Sequence, residues 1–167
     1  KDPNYALAYS GLADCYLLQS NYSVRRPREV VPLAKQLATR ALQLDSGSAE
    51  AFTSMAAIAS RYDSEWSKAD EYYRRALELQ PNYATAQQWY GEFLGRMGRY
   101  QESEKYCRRA LALDPLSPVI NLSCALATVA ARTDAAGALE LARHAESLGM
   151  TLRGRAGQML IHLAVGD

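Results

Sequence analysis

The chain has 167 residues, nearly half of them hydrophobic, and its 19 basic and 18 acidic residues leave a net charge of +1. That length suits one domain or one array of repeats with a sizeable core. The even charge balance gives no electrostatic footing for DNA, RNA or an anionic membrane, and no stretch approaches the ~18 apolar residues of a membrane span.

Apolar residues recur at spacings of three and four without strand-like alternation, which predicts helices throughout. The opening Lys1-Asp2-Pro3 reads as the close of an earlier repeat, so the sequence is expected to be a fragment of a longer chain. Helices are then expected at about 5–19, 28–44, 49–61, 66–79, 84–97, 101–113, 118–131, 135–148 and 152–165. Breakers separate them: Ser46-Gly47, Asp63-Ser64, Pro81-Asn82, Gly98, Pro115, Gly149 and Gly166. Between the first two lies the longest connection, Ser20 to Glu29, locally basic at Arg25, Arg26 and Arg28. Pro27 is placed to start the second helix, where a missing N–H costs little.

The same block returns about every 34 residues: Leu-Gln-Leu-Asp-Ser at 42–46, Leu-Glu-Leu-Gln-Pro at 77–81, Leu-Ala-Leu-Asp-Pro at 111–115. Such self-similarity marks a solenoid, whose units bury their apolar faces only by stacking on neighbours. Small residues (Ala13, Ala56, Gly91, Ala34, Ala69, Ala76, Ala110) alternate with large ones (Tyr9, Leu12, Tyr16, Phe52, Tyr73, Tyr90, Leu94), so that helix surfaces interlock.

The run from Tyr83 through Trp89-Tyr90-Gly91 to Tyr100, continuing to Ala110-Leu-Ala-Leu-Asp-Pro115, resembles a tetratricopeptide repeat. Residues 49–81 resemble it with one extra turn residue, 5–46 with about nine, and 116–148 more weakly. The resemblance implies an all-α, right-handed superhelical solenoid forming a single array. Its repeats would be 5–46, 49–81, 84–115 and 118–148, with a partial fifth repeat or terminal helix at 150–167. Four stretches, from Pro3 to Tyr16, at Pro27-Arg-Glu, Tyr62 to Trp66 and Asn82 to Tyr90, are similar to arrays C-terminal to effector domains in multidomain bacterial regulators. That likeness implies a docking role in signalling or transcription.

In such arrays the first helices of successive hairpins line a concave groove for a peptide or partner helix. The matching positions turn Leu7, Asp14 and Leu17 inward, then Thr53, Ala57 and Arg61, then Thr85, Gln88, Trp89, Glu92 and Arg96, then Leu122 and Leu126. Asp14, Arg61, Gln88, Trp89, Glu92 and Arg96 are the candidate binding residues, with an indole beside a charged pair as the anchor. Arrays that grip a C-terminal carboxylate carry Lys and Asn inward; Asp14 would repel one.

No catalytic chemistry is expected. His144 and His162 stand apart from any metal-ligand pattern, no phosphate-cradling glycine loop opens a helix, and no nucleophile is paired with a base, so neither metal nor cofactor is expected. Cys15, Cys107 and Cys124 fall at apolar helical positions and read as buried thiols of a reducing, cytoplasmic compartment. Arg40, Arg74, Arg75, Arg108, Arg109 and Arg143 form a ridge neutralised by nearby glutamates, with Glu104 and Arg108 as a solvated pair. A second reading rests on Met159, Leu160 and Leu163, which make the last helix apolar on most sides. It would join two copies in a homodimer.

Overall fold

The computed structural model describes residues 4–150. Eight helices run through them: α1 (Ala6–Asn21), α2 (Pro27–Leu44), α3 (Ala49–Arg61), α4 (Trp66–Leu79), α5 (Ala84–Arg96), α6 (Tyr100–Leu113), α7 (Pro118–Ala131) and α8 (Ala135–Ser147). No strand occurs among the described residues. The expected helix at 152–165, with His162, Met159, Leu160 and Leu163, lies outside them. The chain forms two compact units, one through Ala86 and one from Gln87 onward.

In the first unit α1 pairs with α2 and α3 with α4, while α2 and α1 also pack on α3. Pro27 starts α2, and the helix continues past Pro32. One stripe of α2 is buried, Val30, Ala34, Ala38 and Ala41, at the spacing that brings side chains to a single helical face. Helix α3 is buried almost all round and begins at Ser48, whose hydroxyl accepts from the Ala51 N–H at 3.1 Å. Ala49, Ala76 and Ala86 form an alanine centre packed by Phe52, Leu77, Leu79 and Tyr83. The rings of Phe52 and Tyr72 stand 5.9 Å apart.

Helix α1 departs from expectation. It buries Ser10, Ala13 and Leu17, yet Leu12 is 46% exposed and Cys15 is exposed. Leu12 was expected between helices and Cys15 in the core. The side of α1 that carries them remains in solvent, because α2 and α3 cover its other sides.

In the second unit α5 approaches α6 closely enough to require glycine. A Cβ on Gly91 would stand 2.9 Å from Cys107 Sγ and 3.1 Å from the Ser103 carbonyl oxygen. Beside this contact the rings of Tyr90 and Tyr106 meet at 4.6 Å. Helix α6 packs on α7 and α7 on α8. Buried Cys107, Cys124 and Ala127 hold the first of these contacts, and Ala125, Ala138 and Ala142 the second. Ser117 caps α7 and Asp134 caps α8, each accepting a backbone N–H. The chain turns at Gly98 (φ 75°) and Gly149 (φ 96°), a conformation that costs glycine little.

Candidate protein-binding faces

The first unit places Asp14 against α3. Ser54 Oγ donates to Asp14 Oδ1 at 2.6 Å, and the same hydroxyl lies 3.1 Å from the Glu50 carbonyl oxygen. Tyr83, from the turn ahead of α5, is near enough for the Asp14 charge to act on it. Burial is the largest influence on Asp14 and pushes its pKa up to about 6; the Ser54 hydrogen bond opposes this and the Glu50 charge adds to it. Tyr83 is also pushed up, first by burial and then by Asp14. Arg61 is half-buried in the last turn of α3, where a cation complements the helix dipole. Leu17, Thr53 and Ala57, expected on the groove, are fully buried. The Thr53 hydroxyl is turned back onto the Ala49 carbonyl oxygen at 2.8 Å.

The second unit gathers Gln88, Glu92 and Ser123. Gln88 Nε2 donates to Glu92 Oε1 and to Ser123 Oγ, each at 3.1 Å, and Ser123 Oγ donates to Glu92 Oε1 at 2.9 Å. Two of these bonds tie α5 to α7 and the third lies within α5; together they hold the Glu92 carboxylate in one place. Leu122 and Leu126 are half-buried on α7. Trp89 is buried, only 6% exposed, so what it offers a partner is the small edge left to solvent. Arg96 is exposed in the last turn of α5. The sequence pattern picks out Gln88 and Glu92 but not Ser123. The signal that could have found it is its equivalence to Ser54, 69 residues earlier, about two repeat lengths.

Glu104 corrects another expectation. It is 8% exposed, not a solvated partner of Arg108. Its Oε1 accepts from Arg108 Nε at 2.9 Å and from an Arg108 terminal nitrogen at 2.7 Å, and from the Thr133 hydroxyl at 2.8 Å. Arg75 pairs with exposed Glu78, as a solvated pair should, whereas Arg74 pairs with the half-buried Asp70. No group of three or more candidate ligands that could hold a metal occurs among the described residues. No helix among them is long and apolar enough to cross a membrane.

Residues 72–105 match the tetratricopeptide repeat family. The protein O-mannosyl-transferase Tmtc1 of Drosophila melanogaster is 36% identical over 94 residues, 55% of this chain and 10% of that protein. The chain thus spans about a tenth of that curated relative, and the transferase name is said of the whole of it. Among solved structures, PilF of Pseudomonas aeruginosa superposes with a TM-score of 0.67 at 22% identity, covering 96% of this chain and 75% of that one. YrrB, described as a TPR protein with an unusual peptide-binding site, gives 0.59 at 19% identity, covering 95% and 75%. The chain has the all-α, helical-repeat solenoid fold of these structures. The matches support a tetratricopeptide array, a fold consistent with a protein-interaction scaffold.

Proposed function

We propose that the chain is a docking module that binds an extended peptide or partner helix on the α5–α7 face. The observation that carries this reading is the closed set of hydrogen bonds among Gln88, Glu92 and Ser123. A carboxylate fixed by two donors is preorganised for a polar partner group, and less side-chain entropy is lost on binding. Leu122 and Leu126 add apolar area beside it, while exposed Arg96 supplies the charge that sets register. Asp14 and Arg61 play the corresponding polar roles in the first unit. The likeness of the Asn82–Tyr90 run to arrays of bacterial regulators supports a place in a larger signalling or transcription protein. Buried thiols at Cys107 and Cys124 would suit a reducing, cytoplasmic setting.

Panning a phage-displayed peptide library on the chain tests this. Selected peptides are expected to lose binding to Arg96→Glu and to Ser123→Ala, and to keep it with Arg40→Glu on α2. Peptides lost only with Arg40→Glu would move the binding surface to the outer arginines.

A further inference from the structure

We infer that the connection between α1 and α2 is a docking surface for an acidic peptide segment that carries an apolar residue among its carboxylates. Tyr22 and Val24 stand in water there, 63% and 70% exposed, with exposed Leu18 one helical turn earlier on α1. Exposed Arg25, Arg26 and Arg28 follow directly. Arg25 reaches Glu29 at 3.7 Å. Neither the Arg26 nor the Arg28 side chain has a partner among the described residues. One carboxylate among three guanidinium groups leaves this segment positive, although the chain as a whole carries only +1.

A fixed backbone holds these apolar side chains in water. The Tyr22 N–H donates to the Leu18 carbonyl oxygen at 2.9 Å and the Ser23 N–H to that of Ser20 at 3.1 Å. The N–H groups of Val24 and Arg25 both reach the Gln19 carbonyl oxygen, at 2.8 and 3.2 Å. The Tyr62 hydroxyl, just past α3, donates to Asn21 Oδ1 at 3.2 Å and pins the turn from the other side. Ser23 is left-handed (φ 57°), a conformation that costs a residue with a Cβ. A segment ordered this far loses little entropy on binding, and tyrosine beside arginine is the pairing that dominates interface energy. Charge selects the partner's sign, and its amount selects the partner's kind. Two uncompensated arginines fall short of the roughly four to eight basic residues of a lipid-binding cluster. A lone aromatic gives no stacking series for single-stranded nucleic acid. An acidic peptide needs only what is present: an apolar side chain on Tyr22 and Val24, and carboxylates on Arg26 and Arg28. This surface belongs to the first unit, so it stands or falls apart from the α5–α7 reading.

Fluorescence anisotropy of the full 167-residue chain with a labelled pool of glutamate peptides, each carrying one phenylalanine or leucine, tests this. Wild type is expected to bind the pool and to ignore the same pool with glutamine in place of glutamate. Affinity is expected to fall on the order of tenfold in the double variant Arg26→Glu/Arg28→Glu and in Tyr22→Ser/Val24→Ser. Salt at ~1 M, which screens beyond ~3 Å, should weaken binding likewise. Arg96→Glu on α5 is expected to bind as wild type does. All the replaced side chains are exposed, so circular-dichroism melting should show each variant folded. Equal binding of the two pools, no binding of either, or full binding by the Arg26→Glu/Arg28→Glu variant would overturn the proposal. Loss in Arg96→Glu alone would place the peptide on the α5–α7 face and overturn it too. So would sedimentation with phosphatidylserine vesicles in place of peptide binding, which would assign the patch to a lipid surface.

Discussion

Ser123 on α7 donates to Glu92 on α5 at 2.9 Å, and the relationship has a counterpart where Ser54 on α3 donates to Asp14 on α1 at 2.6 Å. In each unit a serine on the later hairpin's first helix holds a carboxylate on the earlier hairpin's first helix. A hydroxyl is short and has one proton, so it fixes the carboxylate close to the helix surface without neutralising it. The two instances differ in their surroundings. Glu92 also receives Gln88, which spreads its charge over two donors, whereas Asp14 has Glu50 nearby. The same stacking register thus produces a settled acceptor in one unit and, in the other, an acceptor beside a like charge.

Removing the Ser123 hydroxyl should therefore cost more than one bond. In Ser123→Ala, Glu92 keeps only Gln88 from this set, and Gln88 loses one of its two acceptors. The expected loss is about 1–2 kcal/mol, set by hydrogen bonds to a charged group. A double-mutant cycle with Glu92→Gln by urea unfolding should show coupling of about 0.5 kcal/mol or more. Additive effects would mean that the contact contributes nothing beyond its parts.

Gly91 should not tolerate even a methyl group. The added Cβ would meet Cys107 Sγ at 2.9 Å and a backbone oxygen, Ser103 O, at 3.1 Å. The sulfur sits in the core and the backbone cannot rotate away, so α5 and α6 must separate. Gly91→Ala is expected to destabilise by about 1–3 kcal/mol, although alanine is the better helix former. Circular-dichroism melting checks this, and Gly11→Ala, with open space around its Cβ, is the matched control expected to be neutral or stabilising.

Distance alone misranks two ion pairs. Lys35 Nζ and Asp63 lie 2.6 Å apart, with the lysine side chain 48% exposed. Glu104 and Arg108 lie 2.7 Å apart, with the Glu104 side chain 11% exposed. Lys35→Ala is expected to change stability by less than about 1 kcal/mol, because water and salt screen the pair. Glu104→Ala is expected to cost about 1–2 kcal/mol, chiefly because the Thr133 hydroxyl loses its acceptor, since the 52% exposed Arg108 is left to water. Urea midpoints in low and high salt separate the two: the Lys35 effect should fade with salt, while the part of the Glu104 effect due to Thr133 should persist.

The helices were legible because breakers and caps punctuate the chain between many of them. Ser48, Ser117 and Asp134 cap starts, Pro27 and Pro118 open helices, and Gly98 and Gly149 turn the chain at positive φ. What escaped the sequence depends on partners far along the chain. Glu104 and Arg108 have the i, i+4 spacing of any exposed pair, and the burial of Glu104 goes with its bond to Thr133, 29 residues away. Thr53 and Ala57 share the helical face pattern of groove residues, but the packing of α1 and α2 on α3 buries them. Cys15 has the apolar neighbours of a core residue, and only the placement of the adjacent helices shows that nothing covers it. Local pattern fixes where helices are; depth is a property of their assembly.

Cysteine reactivity offers a direct measure of that depth. Cys107 and Cys124 are buried, and burial pushes both thiols up, so little thiolate exists at pH 8. The thiolate is the nucleophile, so these two should react with a maleimide or with Ellman's reagent only when the second unit opens. Cys15 is exposed and should react at once. The expected stoichiometry in native buffer is one thiol per chain, rising to three in strong denaturant. Cys15→Ser should abolish the fast phase and leave the slow one. Fast labelling of two or three thiols in the native chain would show that α6 and α7 do not close over Cys107 and Cys124.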